Sequence, residues 1–240
     1  MLNSIFSTVP SESGISLFGA VHITILLISI ILCFAVIKIN KESKLFERLT
    51  TLIITIIHIC LYTWYCFSVE NFITKGLPLH SCRMALILLI IGIFFKKDFL
   101  LKIGSYWGLF GGFGGLLLPT IEKYAFPHIL QISSFSLHVY LLVISVYNLF
   151  VKKIGMTKRE LIVGNTFTVL FLAFTFIVNM IVGSHYSYTS RMPSALLKMG
   201  ISFPPVVCFL IVTTFYVVLE CAEYMLLNSS KKAKTDKSEV

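Results

Sequence analysis

Residues 16–37 read SLFGAVHITILLISIILCFAVI, a run without one charged side chain, and Lys38, Lys41, Lys44 and Arg48 follow it directly. As a helix rising ~1.5 Å per residue, such a run is roughly 33 Å long, enough to cross a hydrocarbon core of about 30 Å. Working outward, comparable apolar segments recur at 49–69, 77–95, 99–118, 129–151, 161–183 and 201–227. The chain is 57% hydrophobic and 13% charged, about half the charge of a soluble domain, and its mean hydropathy is +0.89. The pattern predicts an all-α fold: a polytopic membrane helix bundle of about seven transmembrane helices. One transmembrane domain is expected over 1–227 and a disordered basic tail over 228–240. The first fifteen residues hold no Lys or Arg, so they lack the basic region of an export signal, and the first segment is expected to stay as a span. Segment 77–95 is the weakest, because its first turn carries His80, Cys82 and Arg83. A tilted or re-entrant element is the alternative there.

The charges set an orientation. Fifteen of the twenty Lys and Arg fall after segments one, three, five and seven; five (Lys75, Arg83, Lys123, Arg191 and Lys198) fall on the other side. The positive-inside rule then predicts an external N-terminus, a cytoplasmic C-terminus and a multi-pass protein of the cell membrane. The net charge of +9 reads as topology plus affinity for anionic lipid. Nucleic acid is excluded as a partner, since no basic patch interleaved with aromatics is present.

In that orientation three polar stretches share the outer side: Gly76 to Arg83, Pro119 to His138, and His185 to Arg191. Polar groups in a membrane are costly and mark functional sites. His138 lies nine residues into segment five, roughly 13 Å below the outer surface at ~1.5 Å per residue. His22 falls in the outer half as well, and His58 near mid-membrane. For these two the expected role is an interhelical hydrogen bond.

His80-Ser81-Cys82-Arg83 offers a thiol beside a positive charge, a setting for a nucleophile. Residues two apart on a helix point in nearly opposite directions, so a base for Cys82 is expected from another span, His138 or His185. The bland alternatives are an inert thiol or a pairing of Cys82 with Cys66. His80, Cys82, His138 and His185 also suit zinc by type, yet no His-x-x-x-His or Cys-x-x-Cys spacing supports a metal, and none is predicted. Gly104, Gly108 and Gly112 form a small-residue stripe for helix packing. The Gly111 to Gly115 run followed by Pro119 predicts a broken outer end of that helix, with a cavity wall near His128 and His138. Tyr186, Tyr188 and Arg191 read either as an aromatic belt or as a phospholipid head-group site with Arg191 on the phosphate. Glu220 and Glu223 are expected to pair with basic residues or reach water.

At these residues the chain resembles the YwaF-like family of bacterial integral membrane proteins. The resemblance runs through Leu77-Pro78-Leu79-His80-x-Cys82, then Gly111-Gly112 to Pro119, Phe126-Pro127 and a His in segment five, then Gly183-x-x-Tyr186-x-Tyr188 and Pro193. It spans nearly the whole chain. The departures are His185 where Asn is common, Met192 where Lys is common, and Arg83 where an acidic or amide residue is common. That family is similar to a eukaryotic transmembrane acyltransferase that moves fatty acyl chains between phospholipids through a cysteine. The resemblance implies Cys82 as an acyl-carrying nucleophile and phospholipids as partners. The expected activity is a phospholipid acyltransferase or transacylase without cofactor. Cys82, His80, His138 and His185 would be catalytic; Arg83, Tyr186, Tyr188, Arg191 and His128 would bind substrate. The rival is a small transporter or substrate-binding membrane component, resting on the outward polar cavity and the broken fourth helix.

Overall fold

The computed structural model describes residues 5–11, 14–67, 71–119 and 124–236. Lys123 and the end of the basic tail, 237–240, lie outside them, as do the side chains of 230–236. Among the described residues there is no strand, and seven helices of fourteen residues or more match the seven apolar segments. They are α1 (Ala20–Ile39), α2 (Lys44–Tyr65), α3 (Ser81–Phe94), α4 (Asp98–Leu117), α5 (Ile129–Val146), α6 (Lys158–Val182) and α7 (Pro205–Asp236). A π-turn, Tyr147–Val151, extends α5, and the α7 backbone stays helical past Asn228 to Asp236. Five helices (α1, α2, α5 with its turn, α6 and α7) are long and apolar enough to cross a membrane. Their outward side chains are hydrophobic: Ile31 is 64% exposed, Phe34 69% and Ile181 77%. A soluble protein does not present such a surface; a bilayer covers it.

The helix ends sit where local chemistry puts them. α2 starts at Lys44, five residues before the apolar run, because the Ser43 hydroxyl accepts from Phe46 N at 3.2 Å and caps it. Thr157 and Glu160 form a capping box on α6. Gly183, at φ 68°, closes α6 in the left-handed conformation and turns the chain away. α3 starts at Ser81 rather than 77, since Pro78 in the preceding turn disfavours an earlier start.

α3, α4 and α5 pack in series as the centre of the bundle; α1 and α2 lean on α5, and α6 pairs with α7 on the other flank. Glycines permit this. A Cβ on Gly112 would lie 2.6 Å from Leu142 N, and one on Gly92 would lie 2.7 Å from Leu101 Cα. The stripe is divided between two neighbours: Gly104 meets Leu89 of α3, while Gly108 and Gly112 meet α5. The expected break in α4 does not occur. The helix is unbroken to Leu117, because in a tightly packed apolar setting each lost backbone hydrogen bond costs more than the helix propensity glycine lacks.

Contacts between loops define two ends. At the top, His22 of α1 donates from Nε2 to Leu116 O at the end of α4 (2.7 Å), the interhelical role expected of it. At the bottom, Lys102 of α4 lies 2.8 Å from Glu160 of α6, and Lys152 pairs with Glu47 of α2. Glu220 corrects an expectation: it pairs with no Lys or Arg among the described residues. Its Oε1 accepts from Trp107 Nε1 (2.8 Å) and the Thr168 hydroxyl (2.6 Å) in the interior. Glu223 Oε2 is buried there without a hydrogen-bond partner.

Candidate functional site

α3 has fourteen residues, about 21 Å at ~1.5 Å each, which is short of a bilayer core of about 30 Å. A π-turn, Phe72–Gly76, and the bend at 77–80 precede it. Irregular backbone of this kind needs partners inside the protein. The loop after α6 supplies them. Tyr186, fully buried, donates its hydroxyl to Ile73 O (2.8 Å) and accepts from Leu77 N (3.0 Å). Ser187 donates to Leu79 O (2.7 Å) and accepts from Ser81 N (2.9 Å), the first N–H of α3. The first and third polar stretches are therefore one structure.

That loop is itself held under strain. Ser187 and Tyr188 stand consecutively at φ 50° and 57°, a region that costs non-glycine residues about 1–3 kcal/mol each. Asn179 in the last turn of α6 fixes it: Nδ2 donates to Tyr186 O (2.8 Å) and Thr189 Oγ1 (2.9 Å), and Oδ1 accepts from Tyr186 N (2.9 Å) and Ser184 Oγ (2.6 Å).

Around this joint the charged and nucleophilic groups gather. His80, the residue before α3, accepts from Ser187 N on Nδ1 (3.3 Å), which leaves its Nε2 carrying the proton. Its ring stands edge-on to Tyr186 (5.2 Å) and Tyr188 (6.3 Å). Arg83 donates to Lys75 O (2.6 Å) and Leu77 O (3.1 Å) and lies over the rings of Tyr62 and Tyr65 at 6.0 and 5.6 Å. No carboxylate pairs with it among the described residues. His80, His138 and Cys82 all lie within electrostatic reach of Arg83. The Cys82 sulfur is against the backbone N–H groups of Cys82 and Arg83 at the positive end of α3. His138 donates from Nδ1 to Ser134 O (2.7 Å), so its Nε2 holds the lone pair. Gly115 makes room for that ring; a Cβ there would lie 2.2 Å from Nε2.

Three expected residues lie elsewhere. His185 and Arg191 are exposed. His128 is fully buried in an aromatic setting, stacked on Tyr124 (4.2 Å) and edge-on to Trp64 (5.3 Å). It donates to Ser7 O (2.9 Å) and caps α5 by accepting from Leu130 N (3.3 Å). The middle stretch thus divides: His138 joins the site and His128 anchors the N-terminal segment. The six cysteines are free, so the Cys66–Cys82 pairing is not made.

Two participants escaped the sequence reading. Tyr216 of α7 bonds the Ser81 hydroxyl and lies within electrostatic reach of Cys82 and Tyr188. His58 does not reach across to another helix as expected: its Nδ1 is on Ile54 O of its own α2 (3.0 Å), and it lies in electrostatic reach of Arg83 and His138. A polar side chain inside each apolar run was the available signal in both cases. Among the described residues no cluster of His, Cys, Asp and Glu could hold a metal ion.

The model of the TMEM164 family matches residues 17–221 of this chain. No curated protein and no solved structure is detectably similar to it. The match covers every residue of the joint between the polar stretches. The chain belongs to the TMEM164 family.

Proposed function

We propose that this member of the TMEM164 family, similar also to the YwaF-like bacterial membrane proteins, is a phospholipid acyltransferase whose nucleophile is Cys82. The observation that carries the reading is the placement of Cys82 on the first turn of a buried helix, beside an Arg without a carboxylate among the described residues, an Arg that also lies within electrostatic reach of His138. By its charge distribution the top of the bundle faces outward in the cell membrane, and the substrate is a phospholipid of the outer leaflet.

Cys82 Sγ attacks the carbonyl carbon of an acyl ester and forms a C–S bond as its proton passes to His138 Nε2. Collapse of the tetrahedral intermediate breaks the ester C–O bond. The proton leaves His138 for the departing lysophospholipid oxygen, and a thioester remains. A hydroxyl of a second lysophospholipid reverses the sequence: it gives its proton to His138, takes the acyl group, and Sγ regains a proton. The N–H groups at the start of α3 and Nε2–H of His80 face the developing oxyanion. Arg83 takes the phosphate, a charge-assisted contact that its carbonyl partners leave uncancelled. Tyr186 and Tyr188 hold His80 in place. The continuous α4 removes the broken helix on which a transporter reading rested.

Acyl exchange in vesicles reconstituted with the purified protein and a phospholipid bearing a labelled acyl chain tests this. Cys82→Ala is expected to abolish exchange, and His138→Ala to lower it by about 10²-fold or more. Exchange that survives Cys82→Ala unchanged overturns the reading.

A further inference from the structure

The bundle holds an apolar opening outside the polar joint. α1 and α2 each lean on α5 more than on one another, and between them is an apolar cleft of about 470 Å³ floored by α5. Ile25, Leu32 and Val36 form one wall, Ile54 and Ile57 the other, and Val139 the floor. Its three hydroxyl-bearing residues turn their polarity inward. Thr50 donates to Phe46 O (2.7 Å), Ser136 to Ile132 O (2.6 Å), and the Tyr140 hydroxyl pairs with Thr51 (2.8 Å). The surface offered is hydrocarbon. Below it the short 40–43 linker joins α1 to α2, and Ser43 N there donates to the Tyr147 hydroxyl (2.6 Å).

Size decides the occupant. From Ile25 to Val36, and again from Phe46 to Ile57, the walls run eleven residues, roughly 16 Å at ~1.5 Å each. That is about half of a hydrocarbon core of about 30 Å, the reach of one acyl chain. A volume of about 470 Å³ over that length leaves a cross-section of roughly 30 Å². One alkyl chain fits that width, and the apolar lining along the whole length suits a chain of methylenes. The upper end is marked by Ile54 and Ile57, which flank His58 on α2, and His58 lies in electrostatic reach of His138 and Arg83.

The geometry points to this cleft as the binding site for the acyl chain of the donor phospholipid, with the tail toward the 40–43 linker and the ester toward His138 and Cys82. This rests on the acyltransferase reading for its chemistry, and the binding itself is separable from it. The cleft orients the chain and limits its length.

A phospholipid with a diazirine on its acyl chain, reconstituted with Cys82→Ser protein to prevent turnover, reads occupancy directly. Light should concentrate label on α1, α2 and α5, and excess unlabelled phospholipid should displace it. Val139→Trp is expected to lower that labelling at least fivefold, and Val163→Trp, on the exposed side of α6 (48% exposed), to leave it unchanged. If Val139→Trp does not fold, judged by melting temperature, Ile28→Trp on the α1 wall gives the same reading. Label spread evenly over α1, α6 and α7, or indifferent to Trp in the cleft, overturns the proposal in favour of ordinary surrounding lipid. Cross-links joining two copies through the cleft overturn it in favour of a dimer. Saturable cleft labelling without acyl exchange by the unaltered protein would sink the enzyme reading and leave the cleft standing. Exchange unaffected by Trp in the cleft would do the reverse.

Discussion

The two ends of the bundle solve the same problem differently. At the bottom, loops and helix starts are tied by opposite charges: Lys152 with Glu47, and Lys102 with both Asp98 and Glu160 at 2.8 Å. At the top, the irregular backbone before α3 is tied by neutral side chains from the loop after α6, and Arg83 spends its donors on carbonyls and the Tyr65 hydroxyl. A paired charge is neutralised and its field goes nowhere. A guanidinium on carbonyls keeps its full charge, and in a low-dielectric setting that charge acts on whatever enters. The difference separates a device for stability from a device for binding.

Arg83→Gln tests this most sharply, because glutamine keeps an amide donor for the carbonyls and discards the charge. Acyl exchange is expected to fall by two to three orders of magnitude, about 3–4 kcal/mol in barrier, with little change in melting temperature. Glu47→Gln should split the other way. Glu47 is 7% exposed, and removing it strands Lys152, at a cost of about 3 kcal/mol. The melting temperature should drop while exchange per folded molecule holds. Were Arg83→Gln to cost only stability, the top would be no more than a second bottom.

Gly115→Ala comes next. Its Cβ would meet His138 Cδ2 at 2.1 Å, so the ring or α4 must shift, at about 1–3 kcal/mol for an overpacked site. Exchange should fall about tenfold or more, while Gly111→Ala, with open space at that position, should be silent. Equal effects from the two would detach His138 from the chemistry.

The helices were legible because hydropathy is a property of residue type: each apolar run became a helix, its ends moved by a few residues as where Ser43 capped early or Pro78 delayed the start, and the last helix ran on to Asp236. That the first and third polar stretches lie on one side was legible from topology alone. What bound them was not. Asn179, Ser187 and Tyr186 act through side-chain to backbone hydrogen bonds across more than a hundred positions or within a bent loop, and such bonds leave no period in the sequence. The glycine run misled for a related reason. Glycine and proline signal a break where water can take over the backbone, and here α5 lies where water would be. His128 and His138 look alike in the chain, and only their neighbours, an aromatic stack for one and Gly115 for the other, set them apart.

The smallest effect expected belongs to the bottom. Lys102 and the Thr157 cap hold the Glu160 carboxyl below the usual carboxylate range. A depressed folded value means that the carboxylate's contribution is complete above the unfolded value and is lost as pH falls through the folded one. The bottom of the bundle should therefore weaken in acid, below about pH 4. Glu160→Gln should flatten that part of the stability profile and change little at neutral pH, since a partly exposed pair at a helix start contributes about 1 kcal/mol. Melting temperatures of the two proteins from pH 7 down to pH 3 make the measurement. If their curves stay parallel, the paired charges at the bottom are not what holds α4 to α6. The helix contacts alone would then do so, and the contrast with Arg83 would rest on Glu47 and Lys152.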